Sequence, residues 1–339
     1  MIEIDGSYLE GGGQILRTAL ALSAATQQPC RIFNIRQGRE KPGLAIQHLL
    51  GIQALSQLCY GKLEGDDLGS EEIKFYPGNA YQNKVTINIP TAASIVLILQ
   101  TLIPLAFCAS SPIKIIFNGG ATDTFFSPTM DYFQNVFLKT LEKMGVKTEI
   151  NVIRRGYYPE GGARVEATIC PSKLKPLRLT EKGKLNKILI ISGASEFLKD
   201  KKAAERQLAG AREVLGKLKL PTEERMEYYK TQCPGSQICL AAIFENTVIG
   251  ADGLGNIDKR AEDVGKEAAL ELLQEQKSQG CLDKHLADQI LPYLALAPGK
   301  SQITVSEITD HCKTNIWVIE KFLKGKFAVK DNSISWSAG

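Results

Sequence analysis

One order of elements occurs three times along the chain, and it limits the possible folds more than any single motif does. Residues 1–6 alternate as a short strand. A glycine-rich turn follows at Glu10-Gly11-Gly12-Gly13, and Gln14 to Thr26 reads as a helix with apolar positions at Ile15, Leu16, Ala19, Leu20 and Leu22. A strand at Cys30–Ile35, a polar loop from Arg36 to Gly43, a helix over Leu44–Leu58 and a strand near Ile73–Tyr76 complete the unit. The order returns as strand Val85–Ile89, helix Ala92–Phe107, strand Ile113–Phe117, a loop from Gly119 to Pro128, helix Met130–Met144 and strand Val146–Ile153. The third copy reads as strand Arg164–Ile169, helix Leu286–Leu296, strand Gln302–Ser306, loop Thr309–Cys312, helix Asn315–Leu323 and a final hairpin. The likeness lies in element order, not in letters.

Such a chain belongs to the α/β (α+β) class, and its three units could pack around a pseudo-threefold axis. Residues 181–280 interrupt the third copy with an order of their own. It runs strand Lys187–Ile191, amphipathic helix Lys201–Leu218, strands Glu227–Thr231 and Ile238–Ile249, and charged helix Ala261–Gln274. The 16 basic and 16 acidic residues of this stretch cancel, which describes a solvated face better than a phosphate-binding one. The expected division is residues 1–180 with 281–339 as a large domain, and 181–280 as a small inserted α/β domain. A loop precedes the second helix of every copy, and helix N-termini attract anions. These loops hold Arg36, Arg39 and Lys41, then Thr122 and Asp123, then His311 and Lys313.

Composition narrows the partners. With 41 basic and 37 acidic residues among 339, the net charge of +4 does not by itself argue for nucleic-acid binding. The longest apolar run, around Ile95 to Phe107, is broken by Gln100, Thr101 and Pro104, so no membrane span is expected. Two acids within the first five residues and no basic start do not resemble a signal peptide, and the expected location is cytoplasmic. The eight cysteines form no CxxC pair, which disfavours zinc and disulfide frameworks.

The three histidines are His48, His285 and His311. His311 precedes an apolar helix that Thr309, Asp310 or Thr314 could cap. A helix N-terminus disfavours imidazolium, and a neutral imidazole is a nucleophile; an ordinary loop histidine is the alternative. Arg36, Arg39 and Lys41 suit phosphate or simply a solvated loop, whereas Arg17 stands on an otherwise apolar helix, at the surface or held for a ligand. Glu10 could hold a divalent cation through one carboxylate, or be a plain turn residue. The glycines beside it fit neither a Walker A loop nor the dinucleotide fingerprint. Gln100 lies in an apolar helix, where a buried amide needs partners. The run His285 to Gln289 opens another helix, where Asp288 could serve the helix start and the His285 ring could stack on a base.

Taken together, these segments resemble the RNA 3′-terminal phosphate cyclase family. The resemblance rests on Asp5-Gly6, on Glu10-Gly-Gly-Gly-Gln-Ile-Leu-Arg17, on Ile35-Arg36-Gln37-Gly38-Arg39 with Lys41-Pro42-Gly43-Leu44, and on Gln47-His48. It continues through Leu99-Gln100-Thr101, Gly119-Gly120, Thr122-Asp123, Arg155-Gly156-Tyr157-Tyr158-Pro159-Glu160-Gly161-Gly162, Leu286-Ala287-Asp288-Gln289, and His311 before Thr314-Asn315. It implies three βαβαββ-like units around a pseudo-threefold axis with a small inserted thioredoxin-like α/β domain. It also implies ATP-dependent conversion of an RNA 3′-phosphate to a 2′,3′-cyclic phosphate, through enzyme-histidine-AMP and an adenylated RNA end. By the same resemblance His311 is the nucleophile and Glu10 lies near a divalent cation, magnesium or manganese. Arg17, Arg36, Arg39 and Gln47 engage phosphates of ATP or the RNA end. Gln100, His285, Leu286, Ala287, Asp288, Gln289 and Pro128 contact ATP. This chain departs from the family at position 285, which is histidine in place of a tyrosine that stacks on adenine, and at Pro128, a single proline where two in succession are expected. Relatives that act in ribosomal RNA processing as assembly factors without catalysis are the alternative; they lack the histidine that stands here at 311. An enolpyruvyl transferase of similar units ranks below both. The oligomeric state is left open, a homodimer included.

Overall fold

The computed structural model describes residues 1–216 and 220–339. The first unit comprises β1 (Ile2–Asp5), α1 (Gly13–Thr26), β2 (Cys30–Phe33), α2 (Ile46–Leu58), β3 (Lys62–Glu64) and β4 (Ile73–Tyr76). Its sheet runs β1-β2-β4-β3, with β1 parallel to β2 across the helix crossover and β4 antiparallel to both neighbours. The second unit comprises β5 (Lys84–Ser94), α3 (Ile95–Leu102), β6 (Ile113–Ala121), α4 (Met130–Tyr132), a π-turn Phe133–Phe137, α5 (Leu138–Lys143), β7 (Thr148–Arg154) and β8 (Arg164–Ile169). Its order, β5-β6-β8-β7, repeats the same pairing senses.

After β9 (Arg178–Leu179) come β10 (Leu185–Ser195), α6 (Ala203–Leu215), β11 (Thr222–Tyr229), β12 (Ser236–Phe244), β13 (Val248–Leu254) and α7 (Ala261–Lys277). Beyond them lie α8 (Lys284–Leu296), β14 (Lys300–Thr304), α9 (Asp310–Phe322), β15 (Gly325–Lys330) and β16 (Ser333–Ala338). Strand β9 pairs parallel with β14, and the sheet β9-β14-β16-β15 repeats the order of the first two. The fourth sheet, β11-β10-β12-β13, carries a separate apolar cluster with α6 and α7, in which Ile188, Ile190, Leu208, Ile238, Leu240 and Leu272 are buried.

Several sequence expectations need correction. Arg164–Ile169 is β8, which lies between β6 and β7 and closes the second unit; the third copy opens instead with the two-residue β9. Two residues carry no periodicity, so only their pairing with β14 shows them as a strand. Ala92, Ala93 and Ser94 end β5 rather than begin α3, because the Ser94 hydroxyl accepts the Leu97 N–H at 3.2 Å and caps the helix there. That helix stops at Leu102, where Pro104 belongs to a following 3₁₀ turn. Ile238–Ile249 is two strands joined by a turn at Glu245-Asn246. The expected end of a helix at Leu218 lies outside the described residues.

Thr122 and Asp123 are buried, so the second copy's loop holds no open phosphate site. Asp123 is tied to Arg155, whose two terminal nitrogens reach Asp123 at 2.9 Å and Asp131 at 2.5 Å. Gln237 on β12 donates to Asp131 at 3.0 Å and accepts the Tyr157 hydroxyl at 2.5 Å, so this ion triad joins the second and fourth sheets. No helix among the described residues is long and apolar enough to cross a membrane. Removing one partner of a buried ion pair leaves an uncompensated charge, so Asp131→Ala should lower stability by about 3 kcal/mol in urea unfolding. A loss below about 1 kcal/mol would mean that Asp123 alone suffices for Arg155.

Candidate active site

Helices α1, α8 and α9 meet along a polar seam in an otherwise apolar contact. Thr18 donates to Asn315 Oδ1 at 2.7 Å, and the Asn315 amide donates to the Asp288 carbonyl at 2.8 Å. Gln14 donates to Asp288 Oδ2 at 2.6 Å and to the His311 carbonyl at 3.3 Å. The seam brings the start of α1 against the start of α9. His311 lies inside the first turn of α9 rather than in the loop before it, and of the three candidate caps Thr309 serves, accepting the Cys312 N–H at 3.2 Å.

The His311 Nε2 lies 3.0 Å from Glu10 Oε2, while its Nδ1 is buried with no hydrogen-bond partner among the described residues. Burial lowers the His311 pKa below its usual value more than Glu10 raises it, and the cations Arg17 and Arg39 add to the lowering. The ring is therefore neutral at pH 7. Arg39 donates to the Glu10 carbonyl at 3.3 Å, with its guanidinium 3.9 Å from the Glu10 carboxylate. Arg36 is half-buried and donates to the Gly43 carbonyl at 2.9 Å. Arg17 is half-buried on α1 and forms no ion pair or hydrogen bond among the described residues. Burial brings its pKa to about 10, so it stays charged. Gln47 is half-buried and forms no hydrogen bond among the described residues. Lys41 is exposed, and Lys313 pairs with Asp310 at the surface.

The expected ATP contacts form a chain. Gln100 donates to Gln289 Oε1 at 2.8 Å, and Gln289 donates to the His285 carbonyl at 2.7 Å. Pro128 is half-buried and precedes Thr129, whose N–H donates to Asp252 Oδ2 at 2.6 Å. The Leu286 and Ala287 side chains are wholly buried in the core, because the apolar face of α8 packs inward.

Sequence reading passed over three participants. Gln14 and Asn315 build the seam, and their one signal is a polar side chain at a helical position that faces apolar neighbours. His48 was read only as part of a motif. Its Nδ1 accepts the Ala45 N–H at 3.2 Å, and burial, then Arg17 and Arg36, press its pKa to about 3. The ring is thus neutral, with its proton on Nε2. A Cβ on Gly13 would stand 2.0 Å from that nitrogen, so the first helical glycine is a steric requirement for the ring.

The sequence pattern of the RNA 3′-terminal phosphate cyclase family matches residues 8–329. The chain belongs to this family. It is 46% identical over 324 residues to the RNA 3′-terminal phosphate cyclase of Pyrococcus abyssi, covering 95% of this chain and 93% of that protein. It is 45% identical over 331 residues to the Pyrococcus furiosus protein of the same name, covering 97% and 95%. The Thermococcus kodakarensis protein of that name is 44% identical over 331 residues, covering 97% and 94%.

Burial raises the Asp288 pKa to about 7, against the pull of Arg17. A carboxyl whose folded pKa is raised binds its proton more tightly in the native state, so its contribution to stability falls as pH rises from about 4 to about 7. Asp288→Asn should flatten that part of the melting-temperature profile; a variant profile parallel to the wild type would remove Asp288 as the cause.

Proposed function

We propose that the protein converts an RNA 3′-terminal phosphate to a 2′,3′-cyclic phosphate at the expense of ATP, with His311 as the adenylylated nucleophile. The observation that carries this reading is the neutral imidazole at the start of α9, 3.0 Å from Glu10 and within the field of Arg17 and Arg39. A scaffold would not need a low-pKa histidine facing a carboxylate among cations.

In the proposed first step His311 Nε2 attacks the α-phosphorus of ATP. A P–N bond forms and the P–O bond to pyrophosphate breaks. Attack needs the neutral tautomer that carries its lone pair on Nε2 and its proton on Nδ1; the ring becomes cationic as the P–N bond forms, and the Glu10 carboxylate, 3.0 Å away, would stabilise that charge. AMP then passes to an oxygen of the RNA 3′-phosphate as the P–N bond breaks. The neighbouring 2′-hydroxyl attacks that phosphorus, AMP leaves, and the cyclic ester remains. A phosphate monoester has no good leaving group of its own, and adenylylation supplies one beside a nucleophile already in place. Arg17, Arg36 and Arg39 would bind the phosphates, Arg17 from a half-buried position where a cation gains more from an anion. Gln47 and the Gln100–Gln289–His285 chain would contact the nucleotide.

Among the described residues no group of three or more ligating side chains could cage a metal. Glu10, one solvent-exposed carboxylate, fits a magnesium or manganese ion held mainly by water and substrate. Such an ion would neutralise charge on the phosphates. The finer architecture belongs to the same proposal. The three sheets of like order would surround a pseudo-threefold axis, and residues 181–280 would form an inserted thioredoxin-like domain on the body made by 1–180 and 281–339. The shared strand order and the separate apolar cluster support this.

Incubation with ATP, magnesium and a 3′-phosphorylated oligonucleotide should render the RNA end resistant to phosphatase; an end that stays sensitive would overturn the reading. With α-labelled ATP alone the protein should take up an acid-labile, alkali-stable label, and His311→Ala should take up none. Because the His311 pKa is lowered, the labelling rate should fall on acidification with a midpoint below the usual histidine value of about 6.5. A midpoint above pH 6.5 would contradict the neutral ring.

A further inference from the structure

We propose that the fourth sheet and its helices complete the nucleotide slot, with Glu271 on α7 as a positioning residue for the His285 ring and Asp252 on β13 holding the Pro128 side. The inference rests on the reading of His285 and Pro128 as walls of an ATP site and goes beyond it, because neither carboxylate belongs to the elements that carry those walls.

His285 Nε2 lies 3.3 Å from Glu271 Oε1, and the Lys284 Nζ reaches the same oxygen at 2.8 Å. The contact is made through a ring nitrogen, at the edge of the imidazole. The side chain is 54% exposed, so one face can take a planar ligand. The hydrogen bond to Glu271 raises the His285 pKa, which favours an imidazolium, and the same bond draws Glu271 down to about 2. Asp283 Oδ1 accepts the His285 N–H at 3.1 Å and the Tyr132 hydroxyl at 2.6 Å, while its Oδ2 accepts the Gly250 N–H of β13 at 3.0 Å. The start of α8 is thereby fastened to the fourth sheet.

The opposite wall is fastened to the same sheet. Asp252 Oδ2 accepts the Thr129 N–H at 2.6 Å, one residue beyond Pro128. Burial raises the Asp252 pKa to about 6, and the nearby His285 opposes that rise, so the two groups share one electrostatic neighbourhood. Both walls therefore stand on β13 and α7, which pack together. An imidazole buries less area on a purine than a phenol ring does. Holding it in place beforehand cuts the entropy lost on stacking, and an imidazolium face adds cation–π attraction.

The test is calorimetric titration of the full chain with α,β-methylene-ATP, in which the reacting bond cannot break. Glu271→Ala should weaken binding about fivefold to tenfold, and Glu271→Gln, which keeps an acceptor for the ring, should recover it to within about twofold. In a His285→Ala background, Glu271→Ala should add less than about twofold, because the two residues act through one contact. If the alanine variant melts early, Glu271→Met, which keeps the stem, takes its place in the cycle. Wild-type affinity in Glu271→Ala would overturn the proposal, as would the same loss with and without His285. A wild-type chain that binds no α,β-methylene-ATP would instead overturn the nucleotide reading on which it stands.

Discussion

The site depends on a short polar seam inside an apolar helix contact. Thr18, Asn315, Gln14 and Asp288 satisfy one another across α1, α8 and α9, and each buried polar atom would otherwise cost about 1–3 kcal/mol. Apolar packing alone tolerates sliding and rotation, whereas directional bonds at these distances permit one register. That register sets the first turn of α9 beside the glycine turn of α1, so that His311 faces Glu10. Gly13 serves the same end from the other side, by leaving room for the His48 ring under the turn.

The electrostatics follow from that placement. Arg39 lies beside Glu10, Arg17 feels Asp288, and Arg17 is left without an ion pair among the described residues. Elsewhere the buried cation Arg155 is matched by Asp123 and Asp131. The contrast separates a structural ion cluster from a site with unspent positive charge, which an anionic ligand is suited to neutralise. The same positive field and the burial of the ring keep His311 neutral.

Much of this was legible in one dimension. The glycine run at 11–13, the arginines at 17, 36 and 39, and the histidine at a helix start are local features, and local backbone chemistry fixes their setting. The family likeness rested on such ordered motifs and is matched over residues 8–329. The failures were nonlocal. Arg164–Ile169 alternates as a strand should, but alternation does not say which strand it joins. Asp123 had the sequence of a loop ligand and proved to be the buried partner of Arg155, 32 positions away.

The sequence by itself determined the class of fold, the membership of a family and the side chains able to handle phosphate, because strand and helix periods, glycine turns and residue chemistry are written in neighbouring positions. Only the tertiary structure decided which cations stay unpaired, which histidines meet carboxylates, and that Asp252 of the fourth sheet and Glu271 of α7 stand against the elements carrying Pro128 and His285. Those outcomes depend on contacts between residues far apart in the chain, and charge pairing and desolvation take their values only when such contacts form.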